Sequence, residues 1–388
     1  MRRGETGKYQ ITNHSGEQVR AYIPAPLPPD PPIAMDGPLQ QALESASLAL
    51  GRLDSISVLL PDPSLFIYTY VRKEALLSSQ IEGTQSSLSE LLIFENDQVQ
   101  GVPLDDVTEV SNYVAALEHG LARLQEGFPL SNRLIREIHG VLLSRGRGSD
   151  RDPGEFRRSQ NWIGGSRPGN ASFVPPPHTE LTDCMGYLER FLHAIDDGLP
   201  VLARAGMAHV QFETIHPFLD GNGRVGRLLV TLLLYHYGAL REPTLYLSLY
   251  LKRNRSTYYD LLRYVRATGD WEEWLAFFFE GVRETAEGAV STCQRLLFIF
   301  EEDREIVQKN GGRRANSALR VHQSLMSRPV STLSEISKLT GLAFPGASSG
   351  MQLLTELGIA SEITGQTRNR IFSYDRYIAI LNEGTEPL

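Results

Sequence analysis

The sequence predicts a mainly α-helical protein with one β-hairpin and a C-terminal winged-helix domain. Apolar residues recur at helical spacing over most of the 388 residues. Alternating apolar pieces typical of strands occur around Trp162 and Phe173, and again between Ile359 and Tyr374. A helix–turn–helix pattern precedes the second of these, and that order is typical of a winged helix. Hydrophobic residues make up 41% and charged residues 22%, as in folded globular chains.

Residues 1–35 are rich in proline and polar side chains, which predicts an extended arm rather than a packed element. The helices that follow form a small N-terminal helical unit, assigned as a domain over residues 1–100. Helical spacing predicts them over 40–53, 64–80 and 86–94. Two more helices are predicted over 107–125 and 131–143, the second with Ser131 as its N-cap.

A loop-rich segment over 145–178 interrupts the helices. It holds two short apolar pieces around Trp162 and Phe173 with glycines between them, which predicts a β-hairpin. Helical spacing resumes after it and continues to about Val307. The helices are predicted over 179–196, 200–215 and 224–237. This region is assigned as a second domain over residues 101–310.

The pattern changes again after a glycine-containing basic linker at 309–314. A short helix over 331–339, a turn at Gly341 and a second helix over 348–357 precede the last strand-like pieces. This order predicts the winged-helix domain, which is assigned to residues 311–388.

Charge and cysteine content exclude several classes of protein. The formal net charge of −8 gives no electrostatic basis for general nucleic-acid binding by the whole chain. Two cysteines cannot build a disulfide framework or a four-cysteine zinc site, so a cytoplasmic location is expected. The N-terminus lacks the apolar core of a signal peptide, and no apolar run approaches the length of a membrane span. We therefore expect no membrane partner.

The most informative stretch runs from His216 to Arg227 and reads His-Pro-Phe-Leu-Asp-Gly-Asn-Gly-Arg-Val-Gly-Arg. Glycines on both sides of Asn222 let backbone N–H groups turn toward a ligand, and the following helix adds its positive N-terminal end. Arg224 lies three residues before Arg227, so both side chains can project from one helix face toward phosphate oxygens. The stretch therefore predicts a site for an oligophosphate.

Two further residues of this stretch supply reactive groups. Asp220 offers the hard oxygen ligand that Mg²⁺ shares with phosphate. The imidazole of His216 has an unperturbed pKa near neutrality, which suits a general base. Residues 221–226 also fit G-x-G-x-x-G, but helical sequence rather than an apolar strand precedes them, which disfavours a dinucleotide-binding fold.

The stretch 216–227 resembles the signature of the Fic family, H-P-F-x-D-G-N-G-R-x-x-R, at every fixed position. The flanking segments 154–157 and 245–248 are similar to that family too. The resemblance implies a Fic helical bundle with a β-hairpin flap. It also implies transfer of AMP from Mg-ATP to a Tyr, Thr or Ser hydroxyl of a protein target, or of the chain itself.

The resemblance also implies a role for each matched residue. His216 would deprotonate the target hydroxyl and Asp220 would hold Mg²⁺. Arg224 would contact the β-phosphate of ATP and Arg227 the γ-phosphate. The residues implied to bind the nucleotide are Gly221, Asn222, Gly223, Arg224, Val225, Gly226, Arg227 and Asn254. The hairpin would be a flap that holds the target by strand addition, through Asn161, Trp162, Ile163, Phe173 and Val174.

A second motif precedes the loop, where residues 78–83 fit S-x-x-x-E-G. The helix dipole disfavours a glutamate near a helix C-terminus, which hints at another use for Glu82. In Fic proteins this motif is inhibitory, and its glutamate pairs with the second arginine of the signature. The resemblance therefore implies that Glu82, with Ser78 and Gly83 of the same motif, blocks correct placement of the γ-phosphate at Arg227.

The tail leaves alternatives open. Residues 311–376 hold eight Lys or Arg and four Asp or Glu, a local surplus of four positive charges that suits DNA contact. The second helix of the tail, however, offers no basic side chain to read bases, which suits a protein interface equally well. A DNA-binding regulator with a nucleotide-sensing core, a Fic enzyme with another nucleotide donor and one that removes AMP are the rival functions. A homodimer is a further open alternative.

Overall fold

The fold is mainly α-helical, as the sequence predicts, with small β-sheets at the two ends of the chain. Of these two sheets, the sequence predicts the C-terminal one only. The computed structural model describes residues 1–4, 6–14, 16–59, 64–95, 104–194 and 197–387. The predicted boundary between residues 100 and 101 and the predicted helix end at Asp196 lie outside these ranges. Within them, no helix is long and apolar enough to cross a membrane.

The N-terminal segment contains a β-hairpin, so the prediction of an unpacked arm is wrong for residues 7–24. Strand β1 (Gly7–His14) pairs antiparallel with β2 (Glu17–Pro24). On β2, Val19 and Ala21 are buried against Val174 of the loop-rich segment. The sequence does not reveal this hairpin, because the alternation of apolar and polar residues is weak there. The apolar partner, Val174, lies about 150 residues further along the chain.

Five helices build the first half of a bundle: α1 (Gly37–Leu59), α2 (Ser64–Ile81), α3 (Leu88–Phe94), α4 (Leu104–Gln125) and α5 (Asn132–Leu142). Ser131 caps α5, since its hydroxyl accepts a hydrogen bond from the Leu134 N–H at 3.4 Å. Ser87 and Glu90 form a capping box at the start of α3. These helices confirm the predicted ones, with ends that shift by a few residues.

Six helices build the second half: α6 (Leu181–His193), α7 (Val201–Ile215), α8 (Asn222–His236), α9 (Ser248–Arg253), α10 (Arg255–Thr268) and α11 (Trp271–Asn310). Helix α7 is buried along almost its whole length and packs against α8. Since both helices are fixed in the core, the loop that joins them has fixed ends. The long helix α11 lies alongside α1.

The tail comprises α12 (Ala315–Ser327), β3 (Val330–Thr332), α13 (Leu333–Thr340), α14 (Phe344–Glu356), β4 (Ser361–Glu362), β5 (Ile371–Ser373) and α15 (Asp375–Asn382). The strands form one antiparallel sheet in the order β3-β5-β4. Helices α13 and α14 and strands β4 and β5 lie at the predicted positions, whereas α12 and α15 were not predicted. The winged-helix assignment stays a prediction.

One continuous apolar core joins this tail to the bundle. Phe300 of α11 contacts the rings of Tyr374 and Tyr377. The Tyr377 hydroxyl lies 3.2 Å from Thr69 Oγ1 of α2. The side chain of Gln80, near the end of α2, donates to the Thr385 carbonyl at 2.8 Å. The domain boundary between residues 310 and 311 stays a prediction, and contacts cross it on several sides.

Candidate active site

The site begins where α7 ends, at a residue with an uncommon backbone conformation. His216 adopts the left-handed region, with φ 50° and ψ 61°, and its N–H donates to the Phe212 carbonyl at 2.9 Å. A non-glycine residue stays there only when its surroundings hold it. The buried guanidinium of Arg157 donates from Nε to the His216 carbonyl at 3.0 Å and from Nη2 to the Pro176 carbonyl at 2.6 Å. Arg157 therefore ties the loop to the base of the predicted flap.

The electrostatic surroundings of His216 keep its imidazole neutral. Burial lowers the pKa of His216 to about 4, and the nearby charge of Arg157 acts in the same direction. Its Nδ1 is buried, and the backbone of Glu213 acts on the pKa of His216 in the opposite direction without outweighing burial. The imidazole is therefore unprotonated at physiological pH, as a general base must be, but a pKa of about 4 makes it a weaker base than the near-neutral value expected from the sequence.

Hydrogen bonds within the loop and the side chain of His139 on α5 hold the rest of the loop in place. The Asn222 side chain accepts from the Phe218 N–H and donates to the Phe218 carbonyl, both at 2.9 Å. The buried Phe218 ring stacks on His139, with ring centroids 3.7 Å apart. His139 Nδ1 accepts from the Gly154 N–H, so its Nε2–H donates to the Asp220 carbonyl at 3.0 Å. The loop is therefore rigid before any ligand binds.

The start of α8 forms an anion site. Gly221 has φ 76°, a backbone conformation that is strained in a residue with a side chain. This glycine directs the chain into α8. Among the described residues, no side chain caps this fifteen-residue helix at its N-terminus. The first N–H groups of a helix need acceptors and carry partial positive charge, so this end suits a phosphate.

Asp220 lies beside that helix end, with its side chain 34% exposed. Its Oδ1 accepts from the Gly221 N–H at 2.6 Å, which fixes the direction of the carboxylate. Within the described ranges, no group of three His, Cys, Asp or Glu residues could hold a metal ion. One oriented carboxylate fits Mg²⁺ that arrives with a nucleotide, because Mg²⁺ in such sites is held by one or two carboxylates and by substrate phosphates.

Each of the two arginines of the loop contacts a carboxylate from a distant part of the chain. Arg224, 1% exposed, donates from Nη1 to Oε1 of Glu109 on α4 at 2.6 Å. Arg227 donates from Nη2 to Oε1 of Glu82 at 2.6 Å and from Nε to Ser78 Oγ at 2.9 Å. The resemblance implies the pairing of Glu82 with Arg227, and the structure shows this contact and adds that of Ser78.

Glu82 also occupies the space above the anion site. A Cβ atom built on Gly223 would collide with Glu82 Oε1, so the carboxylate lies directly over the first turn of α8. Gly83, with φ 104°, turns the chain after α2 and directs Glu82 there. Burial opposes the ionisation of Glu82, but the charge and hydrogen bond of Arg227 outweigh it, so the pKa of Glu82 is lowered. The residue is an anion in the place where a phosphate would lie.

The predicted hairpin of the flap is reduced to a single bridge, in which Ile163 and Phe173 exchange both backbone hydrogen bonds, at 2.8 and 3.1 Å. The Asn161 side chain donates to the Phe218 carbonyl at 3.0 Å, which joins the flap to the loop. Trp162 and Val174 pack with the N-terminal hairpin, and the Val174 carbonyl accepts from the Tyr22 N–H. One edge of the flap is therefore already covered by β2.

Three residues implied to bind the nucleotide have other visible contacts. Val225 is buried in the core, and Gly226 packs against Phe212 and Glu213 of α7. Asn254 lies at the junction of α9 and α10, where its side chain donates to the Tyr250 carbonyl at 3.0 Å. A contact of Asn254 with adenine stays a prediction.

Sequence reasoning missed His139, Glu109 and the bracing role of Arg157. Each of them is distant from the loop in sequence and reaches it only because the folded chain brings the two segments together. A buried ionisable residue is a signal for such a role, but burial of these three positions is not evident from the sequence.

Comparison with known proteins identifies the family. A model described as Fic/DOC family N-terminal matches residues 40–122, and a model described as Fic/DOC family matches residues 129–234. The chain belongs to the Fic/DOC family. This Fic protein is 32% identical over 212 residues to the protein adenylyltransferase Fic of Aedes aegypti, and 29% identical over 210 residues to that of Drosophila ananassae. Each match covers 53% of this chain and 39% of the relative, so the chain spans about two fifths of their length.

Solved structures agree on the fold. A Fic family protein from Desulfovibrio desulfuricans G20 has a TM-score of 0.58 and 18% identity, and the match covers 89% of this chain and 98% of that protein. A Fic domain containing signaling protein from Bacteroides thetaiotaomicron VPI-5482 has a TM-score of 0.51 and 19% identity, with 64% and 95% covered. These likenesses concern the fold alone.

Proposed function

We propose that this Fic protein transfers AMP from Mg-ATP to a Tyr, Thr or Ser hydroxyl of a protein, and that Glu82 restrains the reaction. One arrangement carries the proposal. A neutral His216 begins a rigid loop, and this loop ends at a helix N-terminus without a side-chain cap, next to two buried arginines. The names of the curated relatives, protein adenylyltransferase Fic, support the same reaction.

The residues of the chain divide the chemistry among themselves. The hydroxyl oxygen of the target forms a bond to the α-phosphorus while the bond from that phosphorus to the β-phosphate bridging oxygen breaks, and pyrophosphate leaves. His216 accepts the proton of the hydroxyl. The N–H groups at the start of α8 and the guanidinium of Arg224 bind phosphate oxygens and stabilise their charge. Since the loop is braced by Asn222 and His139, little reorganisation is needed when the nucleotide binds.

The carboxylate of Asp220 would hold Mg²⁺, which supplies charge neutralisation between the phosphates. The flap would hold the target segment through the edge at Asn161 and Ile163, because β2 covers the other edge. This placement brings an extended target next to the carbonyls of His216 and Phe218, to which Asn161 is bonded.

In the structure, the Glu82 carboxylate lies over the anion site and accepts a hydrogen bond from Nη2 of Arg227. A nucleotide that brings its γ-phosphate to Arg227 must displace this carboxylate or bind in a shifted pose. Since the two negative charges compete for one guanidinium, the contact supports autoinhibition by Glu82.

The test uses ATP labelled on the α-phosphate or on the γ-phosphate, with cell lysate and the Glu82→Gln variant of the full chain. We expect labelled protein from the α label alone, on a Tyr, Thr or Ser side chain identified by mass spectrometry. Parallel assays with GTP, CTP and UTP define the donor, and assays on AMP-modified protein detect AMP removal. Absence of labelling from every nucleotide triphosphate would refute the proposal.

A partner for the tail is a separate matter. On α14 the exposed residues include Phe344, which is 57% exposed, and no Lys or Arg. Arg368 and Arg370 are exposed on the neighbouring loop between β4 and β5. This mixture favours a protein contact over reading of DNA bases. A gel shift of random and genomic DNA by the full chain separates the two, and a sequence-selective shift would reverse the preference.

A further inference from the structure

Both arginines of the loop are paired with a carboxylate, but through different edges of the guanidinium group. An arginine has a side edge, made of Nε and Nη2, whose two parallel N–H bonds match two oxygens of a carboxylate or phosphate. The atom Nη1 lies away from that edge. Which edge a partner occupies therefore decides whether the arginine can still bind an oxyanion with two hydrogen bonds.

The side edge of Arg227 is full. Its Nε donates to Ser78 Oγ at 2.9 Å, and its Nη2 donates to the Ser78 carbonyl at 3.0 Å and to Glu82 Oε1 at 2.6 Å. A phosphate cannot reach this edge until Glu82 moves. The contact of Glu82 thus has the geometry of a competitor.

The side edge of Arg224 is open. Glu109 Oε1 takes Nη1 at 2.6 Å, while Nε and Nη2 are buried and have no hydrogen-bond partner within the described part of the chain. On that side Asp220 forms an ion pair with Arg224, but its Oδ1 lies 3.7 Å from Nη2, beyond hydrogen-bond distance. Glu109 and Glu82 therefore differ in the edge of the arginine that they occupy.

Burial makes the open edge informative. The side chain of Arg224 is 1% exposed and that of Glu109 is 4% exposed. Buried N–H groups of a charged side chain are nearly always hydrogen-bonded, because leaving them unpaired is costly. Two parallel unpaired donors beside the start of α8 therefore indicate an oxyanion that binds there. Glu109 balances the buried charge of Arg224 and holds the guanidinium by its far atom.

We infer that Glu109 is a positioning residue: it holds Nη1 of Arg224 so that Nε and Nη2 point at the second phosphate of a bound nucleotide. The inference rests on the proposed function, in which Arg224 contacts the β-phosphate. Glu109 lies outside the loop, on α4, and the signature of the loop does not contain it. Glu109 and Glu82 have the same partner type and opposite effects, since the first aids phosphate binding and the second prevents it.

The experiment measures the binding of ADP and of AMP to the full-length chain by calorimetry, with Mg²⁺ present. Neither ligand has a γ-phosphate, so neither needs the guanidinium of Arg227, and only ADP reaches the proposed position of Arg224. The parent for these titrations is the Glu82→Gln chain, because the Glu82 carboxylate lies over the start of α8. The variants are Glu109→Gln, which keeps the shape and removes the charge, and Glu109→Asp, which keeps the charge. Arg147→Gln is the matched control. Arg147 Nη2 lies 3.7 Å from the same Glu109 oxygen, and its side chain is largely exposed.

We expect Glu109→Gln to weaken ADP binding about tenfold, which corresponds to about 1.4 kcal/mol, and to leave AMP binding within about twofold of the parent. Glu109→Asp should recover part of the ADP affinity, and Arg147→Gln should leave the affinity for both ADP and AMP unchanged. Melting temperatures of all variants accompany the titrations, so that a loss of folding is recognised.

Three results would overturn the inference. Tighter ADP binding in Glu109→Gln would make Glu109 a second inhibitory carboxylate. Equal weakening of ADP and AMP, together with a lower melting temperature, would reduce its role to stability. Unchanged ADP binding would show that Arg224 needs no such support. If the parent chain binds no ADP, the proposed nucleotide site fails together with the role of Glu109, and this outcome is distinct from the other three.

Discussion

Neutralising Glu82 should release the site from inhibition. The perturbation is Glu82→Gln, which keeps the side chain in place and removes its charge. The affected contact is the single bond from Arg227 Nη2 to Glu82 Oε1, 2.6 Å long, with the Glu82 side chain 30% exposed. The bonds of Arg227 to Ser78 remain in the variant, so the effect of this one bond is isolated.

The size of the effect follows from the value of that bond. A hydrogen bond to a charged group contributes about 1.5 to 3 kcal/mol in proteins. The amide of Gln can still accept from Arg227, but only as a neutral hydrogen bond of about 0.5 to 1.5 kcal/mol, so the variant should lower the barrier for correctly placed ATP by about 1 to 1.5 kcal/mol. Since about 1.4 kcal/mol corresponds to tenfold in rate, the gain should be roughly fivefold to tenfold at subsaturating ATP.

The assay is the initial rate of AMP incorporation from α-labelled ATP, measured over a range of ATP concentrations. Glu95→Gln is the matched control, because it breaks another carboxylate–arginine pair of α2, that of Glu95 with Arg72, without touching Arg227. This control should show the rate of the parent. The double variant Glu82→Gln with Arg227→Ala should lose the gain, since the released guanidinium is then absent.

Two outcomes would refute this reasoning. A Glu82→Gln variant no faster than the parent at any ATP concentration would mean that the pair does not limit the reaction. A gain that persists without Arg227 would mean that Glu82 acts elsewhere, for example by its position over Gly223 alone.

Three further expectations concern the base, the pH response and the tail. His216→Ala should abolish AMP incorporation and leave ATP affinity nearly unchanged in calorimetry, because the imidazole acts on the hydroxyl proton. Between pH 6.5 and 4.5 the folded protein should lose stability as pH falls, since unfolding lets buried neutral histidines with pKa lowered by burial to about 4 take up protons; these are His139, His209, His216 and His322. Glu74 and Glu213, whose pKa burial raises to about 7, release protons on unfolding and offset part of this, so the net uptake is small at pH 6.5 and reaches about two protons, with a slope of roughly 2 to 3 kcal/mol per pH unit, below about pH 5.5. Deletion of residues 311–388 should lower the melting temperature while labelling persists, because Phe300 loses its contacts with Tyr374 and Tyr377.

Each expectation has a result that contradicts it. Loss of ATP binding in His216→Ala would make the imidazole a phosphate contact. A stability that rises as pH falls from 6.5 would show that the two carboxylic acids outweigh the histidines. A truncated chain with an unchanged melting temperature would mean that the tail folds independently of the bundle.

Much of the candidate site could be predicted because it is local in sequence. The residues from His216 to Arg227 specify the shape of their own loop, with a glycine where the chain turns and the start of a helix where phosphates would bind. The helices that hold the loop were also predicted, since apolar residues at helical spacing need only the local sequence to be seen. The pairing of Glu82 with Arg227 was implied by the resemblance, although the two residues are 145 positions apart.

Other features depend on which surfaces meet, and no local pattern contains that information. Helical periodicity shows that one face of α4 is buried, but it does not show that Glu109 on that helix lies against Arg224. The same holds for His139 under Phe218 and for the N-terminal hairpin, whose Val19 and Ala21 find their apolar partner beside the flap. The chemistry of the loop follows from local sequence, because neighbouring residues specify its backbone shape. The buried side chains that balance its charges and hold it in place follow from tertiary packing, because a buried charge is stabilised by whichever partner the packing of distant helices brings within hydrogen-bond distance.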